Sequence, residues 1–361
     1  MSKKVYVGLS GGVDSSVTAA LLLEQGYEVT GVYMKNWSRD LPGFECPWKQ
    51  DFTDAKRVAV QLGIPFKMYD FEKQYRQKVV DYMVEGYKAG RTPNPDIMCN
   101  QEIKFKLFLD TALSDGADFV ATGHYARVTK KEDIKVRVEM KTARDENKDQ
   151  TYFLYRITKE ALDKTLFPLG EYTKPEVRNL AKKFGLITAS KTESMGICFV
   201  GKVGIKEFLL HELGEQPHGK IIDQEGKNIG EHDGAIYYTI GQRHGLDVGG
   251  GLPYYVTNKD MNKNEVYVTN DLGAKQLWSK SLSLTNVHWI NGAAKNGKTI
   301  QVRTRHRAPL IEGTPQVVSD GTTGSVPALQ VELFNEIRAV TPGQSAVLYE
   351  GDKVLGGGII I

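Results

Sequence analysis

The sequence predicts an α/β fold for the N-terminal part of the chain and a β-rich fold for the remainder. Residues 4–9 form a β-prone run that passes through two glycines into a helical pattern. Strand and helix patterns then alternate, which is typical of a parallel sheet with helices on both faces. From about Gly219 the chain becomes rich in Gly, Val, Thr and Tyr with many turn signals, which suits short strands in small barrels.

Hydrophobic periodicity places the N-terminal elements in order. The predicted strands cover 4–9, 28–34, 65–70 and part of 118–128, and predicted helices begin near Val13 and cover 51–62, 72–88, 101–113, 174–184 and 206–213. Pro93 and Pro95 interrupt residues 91–100, so a loop is expected there. Within 129–150 the charges nearly balance and periodicity fades, which indicates a mobile, solvated excursion.

Length and charge limit the possible classes of protein. A chain of 361 residues exceeds what one hydrophobic core usually supports, so two or three domains are expected. The formal charge of +3 neither requires nor excludes a nucleic-acid partner. The start of the chain lacks an apolar signal core, and no apolar run reaches membrane-spanning length, so we expect a cytoplasmic protein without a membrane partner.

The hexapeptide Ser10-Gly11-Gly12-Val13-Asp14-Ser15 is the feature around which the chain is organised. Adjacent glycines let the backbone approach an anion, and the following helix directs its N–H groups and positive dipole end to the same place. The segment is neither a Walker A loop nor a dinucleotide fingerprint. A capped glycine turn is the alternative, but the position at a first strand–helix junction favours a phosphate site.

The three cysteines, Cys46, Cys99 and Cys198, are too few and too scattered for a disulfide framework or a CxxC-type zinc site. We interpret them as free or redox-active thiols. A buried free cysteine is common, so Cys198, flanked by apolar residues, could belong to the core. Cys99 lies in the predicted polar loop, which is a poor position for a core residue.

The loop matches the signature of the PP-loop ATP pyrophosphatase superfamily, and the order of further motifs resembles bacterial tRNA-specific 2-thiouridylases. These motifs are Ser10–Ser15, Asn94–Asn100, Gly123-His124-Tyr125, residues 148–153, residues 194–199 and the basic segment 303–307. The resemblance implies a PP-loop domain (1–203), a central connecting domain (204–272) and a C-terminal tRNA-binding β-barrel (273–361). It also implies ATP as co-substrate, with Mg²⁺ expected and no resident metal site.

The activity implied by the resemblance is 2-thiolation of the wobble uridine of tRNA. ATP would adenylate the C2 oxygen, and sulfur would arrive as a persulfide. Cys198 would carry the persulfide, Cys99 would act as the nucleophile that resolves it, and Asp96 is a candidate general acid/base. The implied partners are tRNAs for Lys, Glu and Gln, and a cysteine desulfurase or a sulfur-relay protein.

The resemblance also assigns binding positions. For ATP they are Gly8, Leu9, Ser10, Gly11, Gly12, Val13, Asp14, Ser15, Met34 and Gly123. For tRNA they are Asn94, Pro95, Asp96, His124, Lys148, Asp149, Gln150, Arg305, His306 and Gln344. His124 is as readily a structural histidine. Arg303, Arg305 and Arg307 alternate, so on a strand they would share one face, which suits phosphate binding or an ordinary solvated surface.

Three other functions remain open at this point. A PP-loop ligase or amidotransferase acting on a small molecule would share the phosphate loop but would not need Cys99, Cys198 or a barrel. A non-catalytic RNA-binding protein would leave the intact loop and both cysteines unexplained. Thiolation at another tRNA position is the closest rival, and only the match along the whole chain favours the wobble base.

Overall fold

The computed structural model describes residues 2–41, 43, 45–131, 137–192, 204–249, 251–318 and 328–361. Its N-terminal part contains a five-stranded parallel sheet of order β3-β2-β1-β4-β7. The strands in this part are β1 (Lys4–Gly8), β2 (Glu28–Lys35), β3 (Phe66–Asp70), β4 (Phe119–Ala121), β5 (Arg127–Lys131), β6 (Arg137–Lys141) and β7 (Thr165–Leu166). The central strand β1 is apolar and fully buried at Val5 and Val7, which fits a parallel sheet covered on both faces.

The predicted helices are confirmed, with shifted ends. They span Val13–Glu24, Trp48–Leu62, 72–88, 95–114, Lys174–Lys183 and Ile205–Leu213, with short helices at Thr151–Leu154 and Lys159–Asp163. The second helix starts three residues earlier than the prediction at 51. The helices 72–88 and 95–114 each contain a stretch of wider π-type turns, Arg76–Val80 and Cys99–Leu107, and the latter helix is kinked at Phe105, where φ is −106° and ψ is 15°. Such turns are frequent at functional sites.

The prediction of a loop over 91–100 is wrong for its second half. The loop ends at Asn94, and Pro95 is the first residue of a helix. Asn94 caps this helix, because its Oδ1 accepts from the backbone N–H groups of Asp96 (3.1 Å) and Ile97 (3.3 Å). Proline fits this position because the first N–H of a helix has no partner within the helix. Asp96 and Cys99 therefore lie on a helix.

The predicted solvated excursion over 129–150 is also wrong where the structure describes it. Strands β5 and β6 form an antiparallel hairpin, and Lys141 pairs with Lys353 of the C-terminal barrel. The residues that follow fold back onto the N-terminal domain, where Asp149 is only 3% exposed. Charge balance alone does not reveal this hairpin, because its charged residues include the half-buried Arg127 and Lys141, while Val138 and Met140 are buried.

Two β structures follow. The first is a four-stranded sheet of order β10-β11-β8-β9, made of β8 (Gly219–Ile222), β9 (Asn228–His232), β10 (Tyr255–Asp260) and β11 (Glu265–Thr269). The second contains β12 (Trp278–Trp289), β13 (Ile300–Arg303), β14 (Ile311–Val318), β15 (Ala328–Arg338), β16 (Ser345–Glu350) and β17 (Lys353–Ile360). Pairing of β12 with both β15 and β17 closes these strands into a barrel, which confirms the predicted architecture.

The barrel holds the loop that precedes the helix 95–114. The N–H of Thr92 donates to the carbonyl oxygen of Pro342 (2.9 Å), and Gln344 Nε2 donates to the carbonyl oxygen of Thr92 (2.8 Å). A Cβ on Gly343 would lie 2.8 Å from the nitrogen of Thr92, so glycine permits this approach. We call this contact the barrel clamp. Among the described residues, no helix has both the length and the apolar character needed to cross a membrane.

Candidate active site

The loop between β1 and the helix Val13–Glu24 folds around its own hydroxyl groups. Ser15 Oγ donates to the carbonyl oxygen of Gly12 (3.1 Å) and accepts from the N–H of Ser10 (3.2 Å). Gly12 precedes the helix and offers no side-chain cap, so no capping side chain competes for the first N–H groups. Ser10 is exposed. This loop is suited to bind a phosphate, because it offers the exposed hydroxyl of Ser10, backbone N–H groups and the positive end of the helix.

Gly11 is the position where the loop needs glycine most. Its φ is +75°, and a Cβ there would lie 2.5 Å from the carbonyl oxygen of Asp51 at the start of the second helix. Leu9 and Val13 are buried in the apolar core, so their backbones alone are available to a ligand. Gly8 leaves room for Met34, whose Cε lies 2.9 Å from the position that a Cβ of Gly8 would take.

Asp14 is the charged residue of the loop, and two side chains hold it. Lys174 Nζ lies 2.7 and 2.8 Å from its two carboxylate oxygens, and the Tyr125 hydroxyl donates to Oδ1 at 2.9 Å. The Lys174 side chain is 11% exposed, and its ammonium also lies 5.8 Å from the centre of the Tyr125 ring. The carboxylate is thus neutralised by a lysine that lies 160 positions away in sequence.

The carboxyl end of β4 meets the phosphate loop, as the sequence predicts. A Cβ on Gly123 would lie 2.8 Å from the nitrogen of Ser15, so the missing side chain permits this contact. His124 is buried, with Nδ1 2.8 Å from Thr122 Oγ1 and Nε2 3.4 Å from Lys104 Nζ. Burial, assisted by the charge of Lys104, holds the pKa of His124 well below its usual range. The imidazole is therefore neutral near pH 7.

Lys104, which contacts His124, also acts on Asp96 through its charge. The two residues lie eight positions apart on the helix 95–114, about two turns along the same side. Asp96 is half-buried, and desolvation raises the pKa of its carboxyl group above the ordinary value, an effect that the nearby positive charge of Lys104 opposes. A carboxyl group with a raised pKa exchanges protons more readily near neutral pH.

Cys99 lies one turn beyond Asp96, at the start of the π-type stretch, and is 4% exposed. The expectation that it sits in a polar loop, remote from the core, is therefore wrong. Its neighbour Asn100 is also buried and donates through Nδ2 to the carbonyl oxygen of Phe153 (3.1 Å). Cys198 lies outside the described residues. Cys46 is buried beside Trp37, and desolvation raises the pKa of its thiol, which suits an inert core residue.

Asp149 and Gln150, two of the three predicted RNA-binding residues at 148–150, make hydrogen bonds within the protein. Gln150 exchanges two hydrogen bonds with the backbone of Tyr125, both 3.0 Å long. Asp149 accepts from the N–H of Ala143 (3.0 Å) and lies 3.3 Å from Arg303 Nη1. Burial raises the pKa of Asp149. Lys148 and Gln150 are half-buried, and Asp149 is buried.

The prediction that three arginines share one strand face is wrong. Strand β13 ends at Arg303, and a turn follows in which Arg307 has a φ of +61°. Arg303 faces the buried Asp149, whereas Arg305 Nη2 donates to the carbonyl oxygens of Ala339 (3.0 Å) and Ile240 (3.2 Å). Arg305 remains exposed overall.

His306 lies between these arginines, with its ring 4.7 Å from that of Phe153. Desolvation, together with Arg307, Arg303 and Lys148, lowers its pKa to about 4. The two rings are tilted by 43°, and a neutral ring beside an aromatic side chain is suited to contact with a base. Gln344 is engaged in the barrel clamp described above.

Sequence reasoning missed three side chains at this site, namely Lys104, Tyr125 and Lys174. Lys104 has a signal in hindsight, because it falls two helical turns after Asp96. Lys174 opens a helix whose Thr173 and Glu176 form a capping box, which fixes its backbone but does not reveal where the ammonium points.

Comparison with known proteins agrees with this architecture. A family model described as "tRNA methyl transferase HUP domain" matches residues 3–202, a "tRNA methyl transferase PRC-barrel domain" matches 206–270, and an "Aminomethyltransferase beta-barrel domain" matches 279–360. A protein of Listeria monocytogenes (serotype 4a, strain HCC23) named tRNA-specific 2-thiouridylase MnmA is 48% identical over 360 residues, covering 99% of this chain and 94% of that protein.

Relatives of the same name come from Bacillus subtilis (strain 168), 47% identical over 361 residues, and from Bacillus licheniformis, 49% identical over 362 residues. Each match covers 99% of this chain and 94% of the relative. The first family model alone spans more than half of the chain. The chain therefore belongs to the family of tRNA-specific 2-thiouridylases.

Proposed function

We propose that this protein uses ATP to convert the wobble uridine of tRNA into 2-thiouridine. The observation that carries the proposal is the phosphate loop Ser10–Ser15, packed against Gly123, together with the raised pKa of Asp96 on the helix whose Lys104 contacts His124. This arrangement combines an anion site with a carboxyl group whose raised pKa suits proton exchange. Family membership supplies the reaction, and these contacts supply the parts that it requires.

The first step is adenylation of the base. The uracil C2 oxygen forms a bond to the α-phosphorus of ATP, the bond from that phosphorus to the bridging oxygen breaks, and pyrophosphate leaves with the electron pair. The phosphate loop binds the departing pyrophosphate through backbone N–H groups and Ser10. Asp96 accepts the proton that N3 of uracil loses, which keeps the adenylated base neutral. The raised pKa of Asp96 suits this proton transfer.

Mg²⁺, the usual counter-ion of ATP, is part of the proposal. No group of three or more His, Cys, Asp or Glu side chains in the described ranges is placed to hold a metal ion. We expect the metal to arrive bound to the phosphates of the nucleotide. Mg²⁺ would neutralise the phosphate charge of the nucleotide.

Sulfur transfer is the second step. The outer sulfur of a persulfide on Cys198 attacks C2, and AMP leaves with the original oxygen. Cys99 then attacks the inner sulfur, which breaks the S–S bond to the product and leaves a Cys99–Cys198 disulfide that a thiol reductant must reduce. Alternatively, Cys99 attacks first and releases sulfide next to the activated base. Because Cys99 is 4% exposed, either route requires the residues that cover its thiol to move.

The RNA-binding part of the proposal concerns tRNAs for Lys, Glu and Gln, with sulfur delivered by a cysteine desulfurase or a relay protein. Within the predicted set, Arg305 is exposed, and Lys148 and His306 are half-buried. They lie where the barrel meets the N-terminal domain, since Arg307 Nε donates to the carbonyl oxygen of Asn147 (3.2 Å).

Nucleoside mass spectrometry tests the proposal. Unmodified tRNA is incubated with the protein, ATP, Mg²⁺ and a sulfide source, and 2-thiouridine is expected only when ATP is present. Replacing U34 by cytidine should abolish the product, which separates the wobble base from other positions. A methylated nucleoside in place of the thiolated one would instead support the methyl transfer named in the domain descriptions.

Two variants of the loop connect the product to the site. Ser10→Ala and Asp14→Ala should both lose tRNA-dependent pyrophosphate release, because Ser10 binds phosphate and Asp14 holds the polar geometry of the loop. Release that persists near the wild-type rate would show that the loop is not the site of adenylation.

A further inference from the structure

The ammonium group of Lys174 contacts the phosphate loop through Asp14, and the predicted set of site residues does not include it. Its backbone is fixed, because its N–H donates to Asp145 Oδ2 (2.8 Å) and the capping box of Thr173 and Glu176 starts its helix. Its side chain, 11% exposed, reaches both carboxylate oxygens of Asp14. A long side chain held at both ends has little conformational freedom left to lose on binding a ligand.

Asp14 creates an electrostatic difficulty that Lys174 resolves. The loop would bind a polyphosphate, yet Asp14 places a carboxylate in the first helical turn beside it. Two anions at close range repel each other strongly in a partly buried site. An ammonium group bonded to both carboxylate oxygens removes this repulsion. The Tyr125 hydroxyl, which donates to the same carboxylate, fixes its orientation toward the lysine.

We propose that Lys174 is a phosphate-binding residue of this site, which neutralises Asp14 before the nucleotide arrives and binds the pyrophosphate group as it forms and leaves. The inference rests on the proposed use of ATP and deepens it, because it names the residue that balances the charge of the leaving group. A lysine is suited to this task since its ammonium is a compact charge that binds phosphate from several directions.

Binding of inorganic pyrophosphate, titrated calorimetrically in EDTA, tests this role without catalysis or metal. Lys174→Gln should weaken binding about 10- to 100-fold, the range expected for one charge-assisted hydrogen bond. Lys174→Arg should retain most of the affinity. Lys183→Gln is the matched control, because Lys183 lies on the same helix, is 64% exposed and pairs with Glu24. It should bind pyrophosphate like the wild type.

A double variant at Asp14 and Lys174 tests whether Lys174 binds phosphate directly or only pairs with Asp14. Asp14→Asn alone should bind pyrophosphate at least as well as the wild type in EDTA, because the repelling carboxylate is gone. Asp14→Asn with Lys174→Gln contains no unpaired charge, so its fold is expected to be intact by thermal unfolding. If Lys174 contacts phosphate, this double variant stays about tenfold or more below Asp14→Asn. Equal affinity of the two proteins would overturn the inference.

Different results would contradict the proposed use of ATP and the phosphate-binding role of Lys174. If the wild type binds no pyrophosphate and releases none with ATP and tRNA, the proposed ATP chemistry is wrong. If the wild type does both and Lys174→Gln matches it in affinity, Lys174 is a structural residue only and the proposed function stands.

Discussion

Substitution of Gly11 by alanine should separate a change in the phosphate loop from a general loss of stability. An alanine there must adopt a φ of +75°, which costs about 1–2 kcal/mol for a residue with a Cβ. The Cβ would also lie 2.5 Å from the carbonyl oxygen of Asp51, whereas ordinary contacts begin at 3.4 Å. The difference between 3.4 and 2.5 is about 0.9 Å, so the loop or the start of the helix Trp48–Leu62 must move by nearly that distance.

A displacement of this size matters because a misplacement of about 1 Å in a site can lower the rate about 100-fold. We therefore expect Gly11→Ala to lower tRNA-dependent pyrophosphate release about 100-fold, measured with a coupled phosphate assay at saturating tRNA. Gly63→Ala is the matched control. Gly63 ends the same helix with a φ of +66°, but a Cβ there meets nothing within 4 Å. It should lose about 1 kcal/mol of unfolding free energy and keep its activity.

Thermal unfolding of both variants completes the comparison. If Gly11→Ala and Gly63→Ala lose similar stability and only the first loses activity, the loop geometry is the cause. Gly11→Ala with a rate within about twofold of the wild type would refute the link between this close contact and phosphate binding.

Three further predictions concern the remaining site residues. Arg305→Ala should weaken tRNA binding and reduce the slope of log affinity against log salt by about 1, as measured by filter binding, and an unchanged slope would make Arg305 a structural link between domains. Cys99→Ser should adenylate tRNA but fail to thiolate it from a protein persulfide, whereas Cys46→Ser should retain activity. Peptide mapping of the wild type after one turnover without reductant should show a Cys99–Cys198 disulfide. A disulfide that involves Cys46 would contradict the mechanism. Asp96→Asn should abolish thiolation yet raise the free energy of unfolding at pH 7. The raised pKa of Asp96 means that the native state binds its proton more readily than the unfolded state, so stability falls as the pH rises from the ordinary pKa through the folded pKa. A less stable variant would show that the ionised carboxylate stabilises the fold.

The parts of the fold that the sequence predicts are those with local causes. The phosphate loop follows from two glycines between an apolar strand and a helix, and Gly123 follows from the rule that ligands collect at the carboxyl ends of parallel strands. The helix start at Pro95 also has a local cause, since Asn94 is a good cap. The rule that proline breaks helices hides it, because that rule applies to helix interiors and not to the first turn.

Features that depend on distant partners could not be predicted in this way. The alternation of Arg303, Arg305 and Arg307 assumes a strand that ends at the first of them, and Arg303 faces an aspartate 154 positions away. The burial of Cys99 depends on how its helix packs, which a polar sequence context does not report. Lys174 reaches the phosphate loop across 160 positions, and no periodicity in either segment records that contact.

The barrel clamp has a consequence for the order in which the protein can be assembled during synthesis. The helix that carries Asp96 and Cys99 leaves the ribosome long before its clamp exists, because Gln344 and Thr92 are separated by 252 positions. The barrel itself closes only when β17 pairs with β12. Domains fold as units as they emerge from the ribosome. The nascent N-terminal domain therefore forms its phosphate loop while the start of the helix 95–114 still lacks the barrel clamp. A growing chain is therefore expected to bind nucleotide before it can modify RNA. Incomplete chains are then unable to act on tRNA.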